Sequence, residues 1–291
     1  MENKLPVSVI IVSFNTKDLT RRALQALYNS NKLPEQIILV DNNSQDGSGE
    51  MVRSEFPEVL LIESKENLGF AKGNNLGIKT FASQPYIWLL NSDTETGKNS
   101  LEQLVDYMEN HPRVGALGPQ MIYPNKELQS VGGFFPSISN VLYYFLPFVY
   151  FLPKSWRKKL KSMAIFPQLI PENGLELDYV TGAAVLLRRE VLDQVGLMPE
   201  NYFMYFEETD MCWRMKKNGW EIKVINTDPV MHVYGGSFKT KYDPRRLQLF
   251  QESLIKFIKK NYFGWKKILI LGEVFLLGRI SLFLKGLKEK I

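Results

Sequence analysis

Cysteine is almost absent from this chain: Cys212 is alone among 291 residues, and only two histidines occur, His111 and His232. One thiol excludes an internal disulfide and points to a reducing compartment. No G-x-G-x-x-G turn follows the first apolar strand, which reads Ser13-Phe14-Asn15-Thr16 at its end. That argues against a dinucleotide-binding domain, and the lack of a G-x-x-x-x-G-K-[ST] loop argues against a P-loop. Internal repeats and low-complexity tracts are missing too. The apolar run Val7–Phe14 is short, follows a proline and lacks a small-residue cleavage pattern, so no secretory signal is expected. Long apolar runs are scarce. Ile268–Leu284 would span about 26 Å as a helix at ~1.5 Å per residue, against a hydrocarbon core of ~30 Å. It also carries Glu273 and Arg279.

What is present suits a globular chain of one large or two small domains: 45% hydrophobic and 23% charged residues. The net charge of +5 is unevenly spread, with 12 Lys and Arg against 4 Asp and Glu from Lys241 to Ile291. A second basic cluster covers Lys154, Arg157, Lys158, Lys159 and Lys161, near the apolar run Val141–Leu152. Basic blocks interleaved with apolar ones predict an anionic surface. Nucleic acid is disfavoured as partner, since neither a recognition helix nor an aromatic-bearing sheet motif is evident.

The first hundred residues alternate short β-branched runs with helical periodicity. Strands are expected at Val7–Ser13, Gln36–Val40, Val59–Glu63 and Tyr86–Leu90, and helices at Thr16–Asn29, Gly47–Glu55, Gly69–Thr80 and Leu101–Asn110. That order predicts a parallel sheet flanked by helices, with ligands at the carboxyl ends of the strands. The second half is less regular, with strands expected at Leu117–Tyr123, Tyr179–Arg188 and Glu221–Asn226. A long insertion covers 132–171, and a helix is expected from Pro244 to Lys260.

Three places carry candidate chemistry. Asp41 ends the second strand, where a carboxylate accepts from a pyrimidine N–H or ribose hydroxyls, or merely closes an Asx-turn. Asp93 ends the fourth strand in Asn91-Ser92-Asp93, a placement suited to a divalent cation on a diphosphate. His232 follows a later strand and either joins that cation or is structural. The segment YFMYFEETDMCWRMKKNG at Tyr202–Gly219 sets Glu207, Glu208 and Asp210 among aromatics just before a helix. Buried acids there would be tuned toward neutral pH for proton transfer, or would simply offset the helix dipole. Asp210 and Arg214, spaced i, i+4, read as a structural pair. Trp213 reads equally as core or as a sugar platform, and Gly182 as a close approach to donor or a strand bend.

The ordered set Val7–Asn15, LVDNNSQDGS at Leu39–Ser48, NLGFAKGNNLGI at Asn67–Ile78, LLNSDTE at Leu89–Glu95, TGAAVLLRR at Thr181–Arg189, FMYFEETDMCWR at Phe203–Arg214 and MHVYGGS at Met231–Ser237 resembles glycosyltransferase family 2, in particular its rhamnosyltransferase-like members. The resemblance covers roughly residues 5 to 240. It implies a GT-A fold over 1–240, with a nucleotide-binding half over 1–115 and an acceptor half over 116–240, followed by a basic, apolar helical extension over 241–291. It implies an inverting, metal-dependent transferase acting on a nucleoside-diphosphate sugar, rhamnose from dTDP-rhamnose foremost, with Mg²⁺ or Mn²⁺. By the family pattern Phe14, Asp41, Asn43, Lys72 and Asn74 serve the nucleotide. Asp93 and His232 serve the metal, Gly182, Glu207 and Trp213 the donor sugar or acceptor, and Glu208 is the base. Two departures stand out: one acid only in the metal motif, and Glu where Asp is commoner at the base.

The acceptor expected is a lipid-linked saccharide in cell-surface polysaccharide synthesis. That places the enzyme in the cytoplasm, peripheral at the inner membrane face, through a C-terminal extension that binds membrane or forms an oligomer. A UDP-hexose or UDP-N-acetylhexosamine transferase on the same scaffold is the alternative, as is a catalytically silent nucleotide-binding subunit of an assembly complex.

Overall fold

Runs such as Val9-Ile10-Ile11, Ile38-Leu39-Val40 and Ile87-Trp88-Leu89 have no polar alternation, so both faces of their strands must be covered. In the computed structural model all nine of these side chains are fully buried. It describes residues 4–137, 153, 170–233 and 244–275. The run Val141–Leu152, the basic cluster of 154–161, the Gly235-Gly236 pair and the end of Ile268–Leu284 lie outside the described residues.

The first part of the chain runs β1 (Leu5–Ser13), α1 (Lys17–Tyr28), β2 (Pro34–Asp41), α2 (Ser48–Glu55), β3 (Leu60–Glu63), α3 (Gly69–Thr80), β4 (Tyr86–Asn91), β5 (Thr94–Glu95) and α4 (Ser100–Asn110). There follow β6 (Val114–Gly118), β7 (Met121–Ile122), β8 (Gly132–Gly133), β9 (Leu175–Glu176), β10 (Tyr179–Val180), β11 (Ala184–Arg188), α5 (Arg189–Val195), α6 (Glu207–Lys217), β12 (Glu221–Val224), β13 (Val230–His232) and α7 (Pro244–Asn261). Residues 264–275 form a further helical segment. No helix among the described residues is long and apolar enough to cross a membrane.

Eight strands make one sheet in the order β3-β2-β1-β4-β11-β6-β12-β9. β3, β2, β1 and β4 are parallel, as is the pair β6–β12, whereas β11 runs against both β4 and β6. This is the mostly parallel, helix-flanked sheet of the GT-A type. Register aligns the rim: Ser13 pairs with Asp41, Val12 with Asn91, and Leu90 with Ala184. The carboxyl ends of β1, β2 and β4 therefore finish together, and the reversed β11 begins at the same place.

Two expected strands are broken. Leu117–Tyr123 splits because Gly118 ends β6, and Met121–Ile122 joins a small second sheet, β5-β13-β7. Tyr179–Arg188 splits at Thr181–Ala183, where the chain passes from the β10–β8 pair into the main sheet. A second, smaller core binds the C-terminal helices together through Leu254, Ile258, Ile270 and Val274, with Phe206 and Phe250 packed against it.

Candidate active site

The rim is built from short turns. Asn42 N–H donates to Ser13 O at 2.8 Å, tying the end of β2 to that of β1. Asn91 N–H donates to Ala183 O at 2.9 Å, which extends the β4–β11 pairing one step outward. Ser92 Oγ lies 3.0 Å from Thr16 Oγ1, within a buried hydroxyl cluster that includes Ser13 and Thr20. Phe14 projects here with 40% of its surface exposed, an open ring beside the strand ends.

Asp41 is buried and its Oδ1 accepts from Ser44 N–H at 3.3 Å, so the strand-closing turn is real. Asn43 is exposed with φ 65°, and Lys72 is exposed. Asn74 is buried, and its Nδ2 donates to Phe70 O one turn back in α3. Asn42 does what the sequence did not signal: its Nδ2 reaches Gly69 O at 3.2 Å while its Oδ1 is buried with no hydrogen-bond partner. It links the Asp41 turn to the loop that opens α3.

Asp93 and His232 meet. His232 Nε2 lies 3.2 Å from Asp93 Oδ1, and both side chains are nearly buried. Gln129 Oε1, 2.8 Å from His232 Nδ1, accepts that nitrogen's proton. Nε2 faces the Asp93 carboxylate, so the pair can share a proton or a cation. Main-chain pairing holds them: His232 is in register with Thr94, and Val233 N–H donates to Asp93 O at 2.9 Å. No group of three or more His, Cys, Asp or Glu that would hold a metal occurs among the described residues. Two protein ligands fit a hard divalent ion that keeps waters and takes phosphate oxygens for the rest.

The acid pair comes to the rim from the other half of the chain. Tyr205 and Phe206 both adopt left-handed backbone, φ 67° and 68°, rare for aromatic residues. That double reversal turns the chain into α6, whose first turn contains Glu207, Glu208 and Asp210 rather than following them. Glu207 is buried, and one carboxylate oxygen of each of Glu207 and Glu208 is buried without a hydrogen-bond partner. Burial first, and then the neighbouring Glu208 charge, pushes Glu207 well above the usual carboxylate range. Burial also pushes Glu208 up, opposed by the N–H groups of Glu208, Thr209 and Gly182. Acids so arranged are suited to take a proton near neutral pH.

Gly182 lies in the broken strand beside Glu208. A Cβ there would sit 2.7 Å from the Phe70 ring and 3.9 Å from Glu208 Cβ. Phe70, within the Asn67–Ile78 motif but given no role by it, lies beside Gly182, and Gln129, outside every motif, sits on His232. The loop before α3 closes the circle, since a Cβ on Gly69 would lie 3.2 Å from Phe203 O.

Asp210 points away from this cleft and is fully buried against Tyr202, Arg214, Lys260 and Asn261. Trp213 is partly buried in an aromatic stack with Phe135, Phe257 and Tyr262, with Lys217 over its ring. Burial holds the Cys212 thiol up at about 12, which makes it inert.

This sheet and rim make a GT-A fold, and comparison with known proteins gives its class. The model of "Glycosyl transferase family 2" matches residues 8–196. The chain belongs to that family. It is 27% identical over 276 residues to an N-acetylglucosaminyl-diphospho-decaprenol L-rhamnosyltransferase of Mycobacterium tuberculosis, covering 91% of this chain and 87% of that protein. Among solved structures, the mannosyltransferase PcManGT of Pyrobaculum calidifontis, in complex with GDP-Man and Mn²⁺, aligns with TM-score 0.58 at 17% identity, over 94% of this chain and 70% of that one. S. aureus TarS 1–349, in complex with UDP, aligns with TM-score 0.56 at 15% identity, over 93% and 71%.

Proposed function

We propose that this protein is an inverting, metal-dependent rhamnosyltransferase that moves rhamnose from dTDP-rhamnose onto a lipid-linked saccharide. The observation that carries the chemistry is the pair of incompletely bonded, buried acids at Glu207 and Glu208, beside Gly182 at the rim where β1, β2 and β4 end. The substrate class follows from likeness to the mycobacterial protein along most of both chains.

Glu208 accepts the proton of an acceptor hydroxyl while that oxygen attacks the anomeric carbon. The bond to the diphosphate breaks on the opposite face, which inverts the configuration. Phe14 offers a ring for the base and Asp41 a carboxylate for ribose or base. Lys72 and backbone N–H groups near Asn67–Lys72 would meet the diphosphate charge. A Mg²⁺ or Mn²⁺ ion held by Asp93 and His232 would neutralise the departing diphosphate. Gly182 lets the Phe70 ring pack close beside Glu208, and that packing shapes the place proposed for the donor sugar.

The test is a transfer assay with dTDP-rhamnose, UDP-glucose, UDP-N-acetylglucosamine and GDP-mannose, each with a polyprenyl-diphosphate saccharide. Rhamnose transfer with release of dTDP supports the assignment. Preference for a UDP sugar would reassign the donor, and no turnover with any donor would leave a silent nucleotide-binding subunit.

A further inference from the structure

The helical segment over 264–275 is apolar on two opposite faces. Ile270 and Val274 are buried against Leu254 and Ile258 of α7. At about 100° per residue, Trp265, Ile268, Leu269, Gly272 and Phe275 fall on the opposite side. Those side chains are open: Phe263 is 80% exposed, Trp265 64%, Ile268 71%, Leu269 48% and Phe275 54%. A Cβ on Gly272 would meet nothing within 4 Å, so this side is clear even at its centre. Single exposed apolar residues are ordinary, but five along thirteen positions form a patch that calls for a partner.

The surroundings identify that partner's chemistry. Lys266 sits over the edge of the patch, 6.0 Å from the Trp265 ring, and Lys267 reaches back to the Lys259 carbonyl. Lys259 is exposed on α7 alongside, while Lys256 and Lys260 turn their ammonium groups to Asn201 O and Asp210. The whole region 241–291 holds 12 Lys and Arg against 4 Asp and Glu. A second copy docking symmetrically through this face would bring lysine against lysine, since a two-fold interface sets each patch against itself. Anionic headgroups meet the lysines favourably while the aromatics enter the acyl boundary.

We infer that the 264–275 helix and the preceding turn form an in-plane docking surface for an anionic lipid bilayer. The surface is rigidly connected to the acid pair. Phe206, the residue before Glu207, packs on Phe250 and Phe257 of α7 with ring centroids 5.4 and 5.5 Å apart. Ser253 Oγ donates to Met204 O at 2.8 Å, and Lys256 Nζ to Asn201 O at 2.7 Å. The loop that presents Glu207 and Glu208 thus stands on α7, which in turn packs on the docking helix through Ile270 and Val274, so docking sets the height of the cleft above the headgroups.

The experiment is flotation of the full chain with phosphatidylcholine vesicles and with vesicles containing about 30% phosphatidylglycerol. It compares wild type with the fourfold variant Phe263→Ser, Trp265→Ser, Ile268→Asn and Leu269→Asn. Wild type is expected on the anionic vesicles only, with binding that weakens as salt rises. The variant is expected to bind at least about tenfold more weakly, with unchanged melting temperature and unchanged nucleotide binding. Absence of wild-type binding would sink the inference, as would equal binding by the variant. So would a wild-type dimer in sedimentation that the variant dissolves, which would assign the face to a second copy. A lower melting temperature without altered flotation would mean that the chain itself covers the patch. Vesicle binding is read without sugar transfer, so its failure leaves the transferase assignment standing.

Discussion

Lys260 Nζ lies 2.8 Å from Oδ1 of Asp210, a carboxylate with no solvent exposure, across fifty residues of sequence. The same carboxylate receives Asn261, Tyr202 and, at 3.4 Å, Arg214. A buried acid with four polar neighbours fixes α7 against α6. Asp210→Ala strands those donors, but Lys260 is 45% exposed and Arg214 keeps its carbonyl partners, so the cost should be about 1–3 kcal/mol. Urea unfolding should register that loss. A double-mutant cycle of Asp210→Asn with Lys260→Gln should show non-additivity of about 0.5–3 kcal/mol. Additive effects would mean the contact contributes nothing.

Glu208→Gln removes the proposed proton acceptor and keeps the shape. The turnover number should fall about 10²–10⁴-fold, with nucleotide affinity nearly unchanged by calorimetry. Burial raises both acids, so the ionised, working form is lost at a higher pH than for an ordinary carboxylate. Activity should therefore decline as pH falls through a midpoint above the usual Glu range. A flat profile down to pH 4.5 would exclude a raised carboxyl as the base.

The same burial predicts a stability gain at Glu207. A carboxyl whose folded pKa exceeds its unfolded value costs stability above the unfolded pKa, and the cost disappears at acid pH where both states are protonated. Glu207→Gln should raise the melting temperature at pH 7.5 by about 2–4 °C for each kcal/mol recovered, and leave it unchanged near pH 3.5. Calorimetry at the two pH values decides this, and equal shifts at both would assign the gain to something other than ionisation.

Gly182→Ala introduces a methyl group 2.7 Å from the tip of the Phe70 ring. The ring must move, and with it the loop before α3. The expected result is a fall of about tenfold or more in kcat/KM, in line with what small misplacements cost in pre-arranged sites. Adding Phe70→Leu should restore part of it. Failure of the double variant to exceed the single one would show that the clash is not the cause.

Asp93→Ala should abolish the response of nucleotide binding to added Mg²⁺ or Mn²⁺, and His232→Ala should weaken it. Thermal shifts with dTDP or UDP, with and without metal, measure this directly. An unchanged metal titration in Asp93→Ala would remove the cation from this place.

The strands of the first half were legible because each is a short run of β-branched residues ended by a turn, and Gly69–Thr80 is helical at both of its expected limits. The rim was legible for the same reason: Asp41 and Asp93 sit where apolar runs stop. Long-range pairing was not. That β11 lies between β4 and β6 depends on which strands meet in space, which a run of Ala-Val-Leu-Leu does not encode. Gln129 on His232, Asn42 on Gly69 and Lys260 on Asp210 are contacts between distant segments with no local signature. The short helix Arg189–Val195 follows a strand directly and escaped notice because seven residues give too little periodicity to separate from the strand before it.

The reversed strand has a mechanical consequence. β11 pairs with β4 from Ala184–Leu90 to Arg188–Tyr86, so the part of the chain that carries Asp41 and Asp93 and the part that carries Glu208 share one hydrogen-bonded ribbon. The two parts cannot hinge apart without unzipping it. Movement between the two parts must therefore come from the linkers at the rim, because the ribbon itself holds one relative placement once the protein has folded.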